Sequence, residues 1–224
     1  MGNIQAHKRL IVFTPNPEFV LRASQNKAFA DLLAKADINI ADGVGLVWAG
    51  RLLGVPVRRI AGADIVAELL KIGNQESWRV GIAGARGGDR IEQDVQFKKL
   101  VEKYPNLKFE NLDIDFKFKI KNLKFDMVFA CQGMVKQEEW IWENKDKYDG
   151  ALWMGIGGSL DYLSGFIQRA PLLIRLIGFE WAWRLVTKPG HWRRVWRAVV
   201  EFGWLVLKEE LLSLKAGKKD VNVN

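Results

Sequence analysis

Apolar residues recur along this chain in two rhythms. Short, nearly unbroken apolar runs at 9–14, 37–40, 78–84, 107–112, 126–131 and 151–155 read as strands. Between them, NPEFVLRASQNKAFADLLAKA (16–36), GADIVAELLKIGN (62–74) and GDRIEQDVQFKKLVEKY (88–104) place apolar residues three and four apart. That spacing belongs to helices laying one face on a sheet. Strands alternating with helices predict an α/β body with a mostly parallel sheet flanked by helices, since parallel neighbours are reached by a crossover.

The pattern changes near the C-terminus. In HWRRVWRAVVEFGWLVLKEELL (191–212), helical spacing puts Trp192, Val195, Trp196, Val199, Val206 and Leu207 largely on one face, with Arg193, Arg194, Arg197 and Lys208 around the other. From Tyr162 onward eleven Lys and Arg face five acids, so this region carries +6 of the formal +8, and five of the ten tryptophans lie between 181 and 204. A basic, Trp-rich helix suits an anionic membrane surface or a polyanion, and the density of indole rings favours the membrane. The predicted organisation is therefore an α/β body over 1–188, a basic, Trp-rich, membrane-associating helical appendage over 189–215 and a frayed tail over 216–224.

Composition narrows the class. Hydrophobic residues make up 49% and charged residues 27%, which excludes a disordered chain. No window approaches the roughly 20 apolar residues of a spanning helix; APLLIRLIGFEWAW is broken by Arg175 and Glu180. The apolar run Leu10 to Phe13 ahead of Pro15 is too short for a signal-peptide core, so a cytoplasmic protein is expected. One cysteine, Cys131, makes neither an internal disulfide nor a zinc site by itself.

In open, Rossmann-like α/β sheets, ligands sit beyond the carboxyl ends of the strands. Here those ends run into Thr14-Pro15-Asn16, Asp42-Gly43-Val44-Gly45, GARGGD (84–89), CQGMVKQEEW (131–140) and Gly155-Ile156-Gly157-Gly158-Ser159. Asp42 by itself reads as a turn residue, a helix cap or a catalytic acid. GIAGARGGD reads either as a structural turn or as a phosphate cradle at a helix start; its G-x-x-G-x-x-G spacing is not that of a nicotinamide-dinucleotide fold. Asp113 and Asp115 match a metal-binding acid pair only in their spacing, and His7 and His191 have no partner at ligand spacing, so no metal site is expected. Without a nucleophile elbow or a G-x-x-x-x-G-K-[ST] loop, neither hydrolase nor ATPase chemistry is supported.

Several of these loops match one pattern in one order: Thr14-Pro15-Asn16, Asp42-Gly43-Val44-Gly45, Arg59-Ile60-Ala61-Gly62, GMVKQEEW (133–140), GIGGSLD (155–161), Arg169-Ala170-Pro171 and EWAWR (180–184). Together, from about Leu10 to about Lys208, they resemble the WecG/TagA/CpsF family of bacterial glycosyltransferases, family 26. The resemblance implies an inverting enzyme that moves a sugar, often N-acetylmannosamine or its uronic acid, from UDP onto undecaprenyl-diphosphate-linked N-acetylglucosamine for wall or surface polymers. It makes Asp42 the catalytic base. It places Thr14 and Asn16 near the sugar and Arg59 and Gln137 at the donor or departing diphosphate, with Gly157 and Gly158 also substrate-binding. Arginines of the appendage, for which Arg184, Arg193 and Arg194 are the candidates, would complete the site at the membrane.

The same resemblance implies no metal and no cofactor beyond the UDP-sugar, a peripheral position on the inner face of the membrane, and no nucleic-acid partner. Three features depart from the pattern. The family opens with a further strand and helix before its T-P-N loop, Val135 stands where it carries proline, and 111–126 is short. Those departures keep a second reading open, a non-catalytic nucleotide- or polyanion-binding protein on a degenerate transferase scaffold.

Overall fold

The computed structural model describes residues 9–114, 123–176, 180–187, 190 and 192–220, without the side chains at 176, 184–187, 194–195 and 213–220. The α/β expectation holds. Six strands, β1 (Leu10–Phe13), β2 (Ile38–Asn39), β3 (Arg79–Ala83), β4 (Lys108–Asn111), β5 (Lys124–Ala130) and β6 (Asp149–Gly155), form one sheet in the order β2-β1-β6-β5-β3-β4. Every pairing is parallel, with Ile11 beside Trp153, Trp153 beside Val128 and Val128 beside Gly81. The central strands are apolar on both faces because helices cover both, while the edges β2 and β4 are short and carry Asn39, Lys108, Glu110 and Asn111.

Helices α1 (Pro17–Gln25), α2 (Lys27–Ala34), α3 (Val44–Leu52), α4 (Gly62–Glu76), α5 (Arg90–Lys103), α6 (Lys136–Asn144) and α7 (Ser159–Leu163) connect the strands or come after them. One sheet face packs Val12, Ile82 and Phe129 against Val66 and Leu70 of α4, Leu100 of α5 and Leu160 of α7. The other packs Ile11, Phe13 and Trp153 against Ile141 and Trp140 of α6 and Leu33 of α2. The single helix expected over 16–36 is two: α1 ends at Gln25, and Asn26 takes an extended conformation and accepts from Phe29 N at 3.1 Å, capping α2. A side chain that competes for backbone donors in this way favours a helix end over a helix interior.

By compactness the chain divides into two units. The sheet unit comprises 1–14, 31–40 and 61–169; the helical unit comprises 15–30, 41–60 and 170–224. In the helical unit α8 (Leu172–Leu176) packs on α9 (Glu180–Thr187), α9 on α10 (Trp192–Trp196), and a π-type turn over Arg197–Glu201 leads into α11 (Phe202–Asp220), against which α1 and α3 pack. The expected amphipathic helix is present, but its faces are not those read from regular spacing. A π-type turn admits an extra residue and rotates the residues beyond it. Phe202 and Val206 accordingly point inward, 5% and 8% exposed, while Trp192, Trp196, Trp204, Leu207 and Leu211 stay outside. Val206 thus leaves the face that regular spacing has it share with Trp192 and Trp196. Residues 221–224, within the stretch expected to fray, lie outside the described residues.

Candidate active site

The Asp42 loop lies in the helical unit, against the Pro15-Asn16 segment. Asp42 N–H donates to Pro15 O at 2.7 Å, and Ile60 N–H donates to Ala41 O at 3.1 Å. Each glycine of Asp42-Gly43-Val44-Gly45 has a separate reason. Gly43 holds φ +102°, open to glycine and disfavoured for other residues. A side-chain carbon on Gly45 would come within 2.7 Å of Pro17 Cγ, so only glycine lets the start of α3 approach α1 this closely. The half-buried Asp42 carboxyl therefore sits on a turn whose shape its two glycines and Pro17 impose.

Other expected site residues of this unit have local partners. Asn16 caps α1, its Oδ1 accepting from Glu18 N at 2.9 Å and Phe19 N at 3.3 Å. Arg59 donates from Nη1 to Arg175 O at 3.0 Å and lies 3.9 Å from the Glu180 carboxylate, which ties its guanidinium to α8 and α9. Arg193 is exposed, its guanidinium 5.4 Å from the Trp192 ring. The side chains of Arg184 and Arg194 lie outside the described residues, as do His7, His191 and Asp115.

The sheet unit gathers Thr14, Gln137, Gly157 and Gly158 at the carboxyl ends of β1, β5 and β6. Thr14 Oγ1 donates to Gly155 O at 3.3 Å, and a side-chain carbon on Gly62, at the start of α4, would press on Thr14 at 3.2 Å. Gln137 is 3% exposed and both ends of its amide are engaged: Oε1 accepts from Gly157 N at 2.9 Å and Nε2 donates to Glu138 Oε1 at 2.5 Å. Glu138 is fully buried and its Oε2 accepts from Val135 N at 2.7 Å. Burial pushes the Glu138 carboxyl up to about 7, with hydrogen bonds from Gln137 and Val135 pulling the other way. Val135 itself is at φ +74°, a conformation closed to a proline ring, and the Glu138 hydrogen bond engages its N–H.

Beside these residues lies a cavity of about 250 Å³ lined by Ala85, Arg86, Gly87, Gln96, Cys131, Gly157, Gly158, Leu160 and Asp161. It opens where β3 leads to β4 on one side and β5 leads to β6 on the other, the switch point at which open α/β sheets take their ligands. Arg86 meets Asp161 at 3.1 Å and Glu92 at 2.7 Å; Gln96 is fully buried and donates to Asp161 at 3.0 Å. Gln96 Oε1 has no hydrogen-bond partner among the described residues. Desolvation, with Asp161 and Asp113 nearby, raises the Cys131 thiol above its usual range.

The GARGGD loop divides the two readings left open for it. Gly84 N–H is spent inside the protein, donating to both oxygens of Asp113 at 2.9 and 2.8 Å, whereas Ala85, Arg86 and Gly87 wall the cavity. Asp113 also accepts from Gln93 Nε2 at 2.8 Å, which makes it a brace for that loop. Sequence spacing pointed to the loops but not to Arg86, Gln96, Asp161 or Glu138. Their partners are either far along the chain or, for Glu138, hidden behind an N-cap that is not Ser, Thr, Asp or Asn.

A parallel sheet with a cavity at its topological switch point defines a Rossmann-like α/β scaffold. The model of the Glycosyl transferase WecG/TagA/CpsF family matches residues 1–216, and the chain belongs to that family. Among similar proteins is the N-acetylglucosaminyldiphosphoundecaprenol N-acetyl-beta-D-mannosaminyltransferase of Staphylococcus aureus strain NCTC 8325 / PS 47, 32% identical over 86% of this chain and 77% of its own length. The same enzyme from strain COL is equally similar, and that of strain MRSA252 is 31% identical over the same shares. The relationship favours an enzyme over the non-catalytic alternative.

Proposed function

We propose that this protein is an inverting glycosyltransferase that moves an N-acetylmannosamine-like sugar from UDP to an undecaprenyl-diphosphate-linked N-acetylglucosamine, working peripherally at an anionic membrane surface on the cytoplasmic side. The observation that carries the reading is the match of nearly the whole chain to glycosyltransferases named for that reaction. The cavity at the β3/β5 switch point supports a donor site. Whole small-molecule sites run to roughly 300–1,000 Å³, so its volume of about 250 Å³ suits part of a nucleotide diphosphate. Asp161 there offers a carboxylate to ribose hydroxyls.

In this reading the acceptor hydroxyl oxygen attacks the anomeric carbon, the bond from that carbon to the β-phosphate oxygen breaks, and UDP leaves with the electron pair. Asp42 takes the hydroxyl proton as the new bond forms. A single displacement inverts the centre and needs no enzyme nucleophile. In this reading Thr14 and Asn16 bind near the sugar, Arg59 and Gln137 contact the donor or the departing diphosphate, and Gly157 and Gly158 also bind substrate. Fixed donors and arginines offset the growing phosphate charge without a metal ion, and Arg184, Arg193 and Arg194 complete the site at the membrane. The outward tryptophans and arginines of the helical unit support the membrane contact, through apolar burial and roughly 1 kcal/mol per basic residue near an anionic surface.

The test supplies the full chain with a panel of UDP-sugars and a synthetic polyprenyl-diphosphate N-acetylglucosamine in anionic vesicles, with products read by mass spectrometry. A lipid-linked disaccharide formed from UDP-N-acetylmannosamine is the expected product. No sugar transfer from any donor would return the chain to the class of binding proteins.

A further inference from the structure

We propose that Glu138 is a positioning residue that, through Gln137, sets the Gly157 turn against the candidate nucleotide cavity; the inference rests on the reading of that cavity as a donor site. The chain of contacts is short and has a polarity. Ionised, Glu138 can only accept hydrogen bonds. Its two oxygens take Val135 N–H at 2.7 Å and Gln137 Nε2 at 2.5 Å. With its amide nitrogen fixed towards Glu138, Gln137 can present only its oxygen to the far side, where it accepts Gly157 N–H at 2.9 Å. An amide could otherwise sit either way round; the carboxylate selects one orientation.

Three further observations place this relay at the cavity wall instead of leaving it a generic buried network. Gly157 lines the cavity at φ +51°, which glycine reaches without steric cost, and its N–H is fixed by the hydrogen bond to Gln137. Gly155, the last residue of β6, has no room for a side chain because Gln137 Nε2 and Glu138 Oε1 would lie 2.7 and 2.8 Å from it. Val135, a β-branched residue at φ +74°, persists where its surroundings over-determine it, and the Glu138 bond to its N–H is such a determinant. No part of Glu138 is exposed, so it touches no substrate and acts only through Gln137.

The experiment, run at pH 8 where Glu138 is ionised, tracks the Gly157 amide by hydrogen exchange in the full chain, alongside UDP affinity. Glu138→Gln keeps the shape but sets an NH₂ group against one of two donors. Expected are loss of Gly157 protection with the β6 amides still protected, UDP binding weaker by about tenfold, the scale of one buried hydrogen bond, and a higher donor KM with kcat at saturation little changed. The exchanged pair Gln137→Glu/Glu138→Gln restores a consistent order of donors and acceptors, and should restore Gly157 protection. Unchanged protection in Glu138→Gln overturns the relay, and failure of the exchanged pair to restore it overturns the polarity. If the wild-type chain binds no UDP, the donor-site reading fails by itself, while exchange at Gly157 still decides the relay.

Discussion

The sheet unit and the helical unit handle apolar surface in opposite ways. In the sheet unit Trp153, Phe13, Phe129, Leu70 and Leu100 are less than 2% exposed, and polar groups inside it, Gln93, Gln96, Gln137 and Glu138, hold hydrogen bonds to specific partners. In the helical unit the described core is small, with Phe19, Phe29, Phe202 and Val206 among its buried members, and Trp48, Trp192, Trp196 and Trp204 stay more than half exposed. Fifteen of the 21 exposed large hydrophobic residues described belong to it. That concentration of outward indole and leucine is what the proposed membrane contact rests on. One unit encloses its large apolar side chains, and the other presents many of them outward.

That contrast can be broken at several points. The largest effect is expected from Trp153→Ala, which empties the most enclosed aromatic position of the sheet unit and should cost about 3–5 kcal/mol in denaturant unfolding; a loss under 1 kcal/mol would mean the sheet core is not the rigid part. Asp42→Asn should lower turnover about 100-fold or more while UDP binding and melting temperature stay put, and a mutant that keeps its rate would remove Asp42 as the base. Next comes the buried carboxyl of Glu138. Because its folded pKa of about 7 exceeds its unfolded value of 4.5, the folded chain binds more protons between those pH values. This group's contribution to stability is thus full at low pH and falls as pH rises through that window. The difference between wild type and Glu138→Gln should change by on the order of 2 kcal/mol from pH 5 to pH 8, and a flat difference curve refutes the burial cost.

The smallest folding effect is expected outside the sheet. Replacing Trp196 and Trp204 together with Ala should move stability by no more than about 0.5 kcal/mol per site, yet weaken sedimentation with anionic vesicles, more so as salt is raised. Equal vesicle binding by the double variant would argue that the helical unit meets a different partner.

Much of the sheet unit is legible in sequence because its strands are nearly continuous apolar runs, from Leu10–Phe13 to the end of β6 at Gly155. The Asp42 loop is legible for a different reason, since two glycines beside an acid are a demand on backbone shape. The features that escape depend on partners distant in sequence or on one-residue irregularities. Asn26 splits a helix that periodicity alone continues. Gln96 and Asp161 meet across 65 residues. Glu138 looks like an ordinary helix-start acid until Gln137 and Gly157 close around it.

The π-type turn at Arg197–Glu201 gives the end of the chain an unusual sensitivity to length. Each helical residue advances the azimuth by about 100°, so deleting one residue there would swing everything beyond it by that angle, carrying Phe202 and Val206 out of their seats and bringing neighbours in. A single-codon deletion could therefore redirect which flank of the terminal helix is greasy, with no change to any side chain.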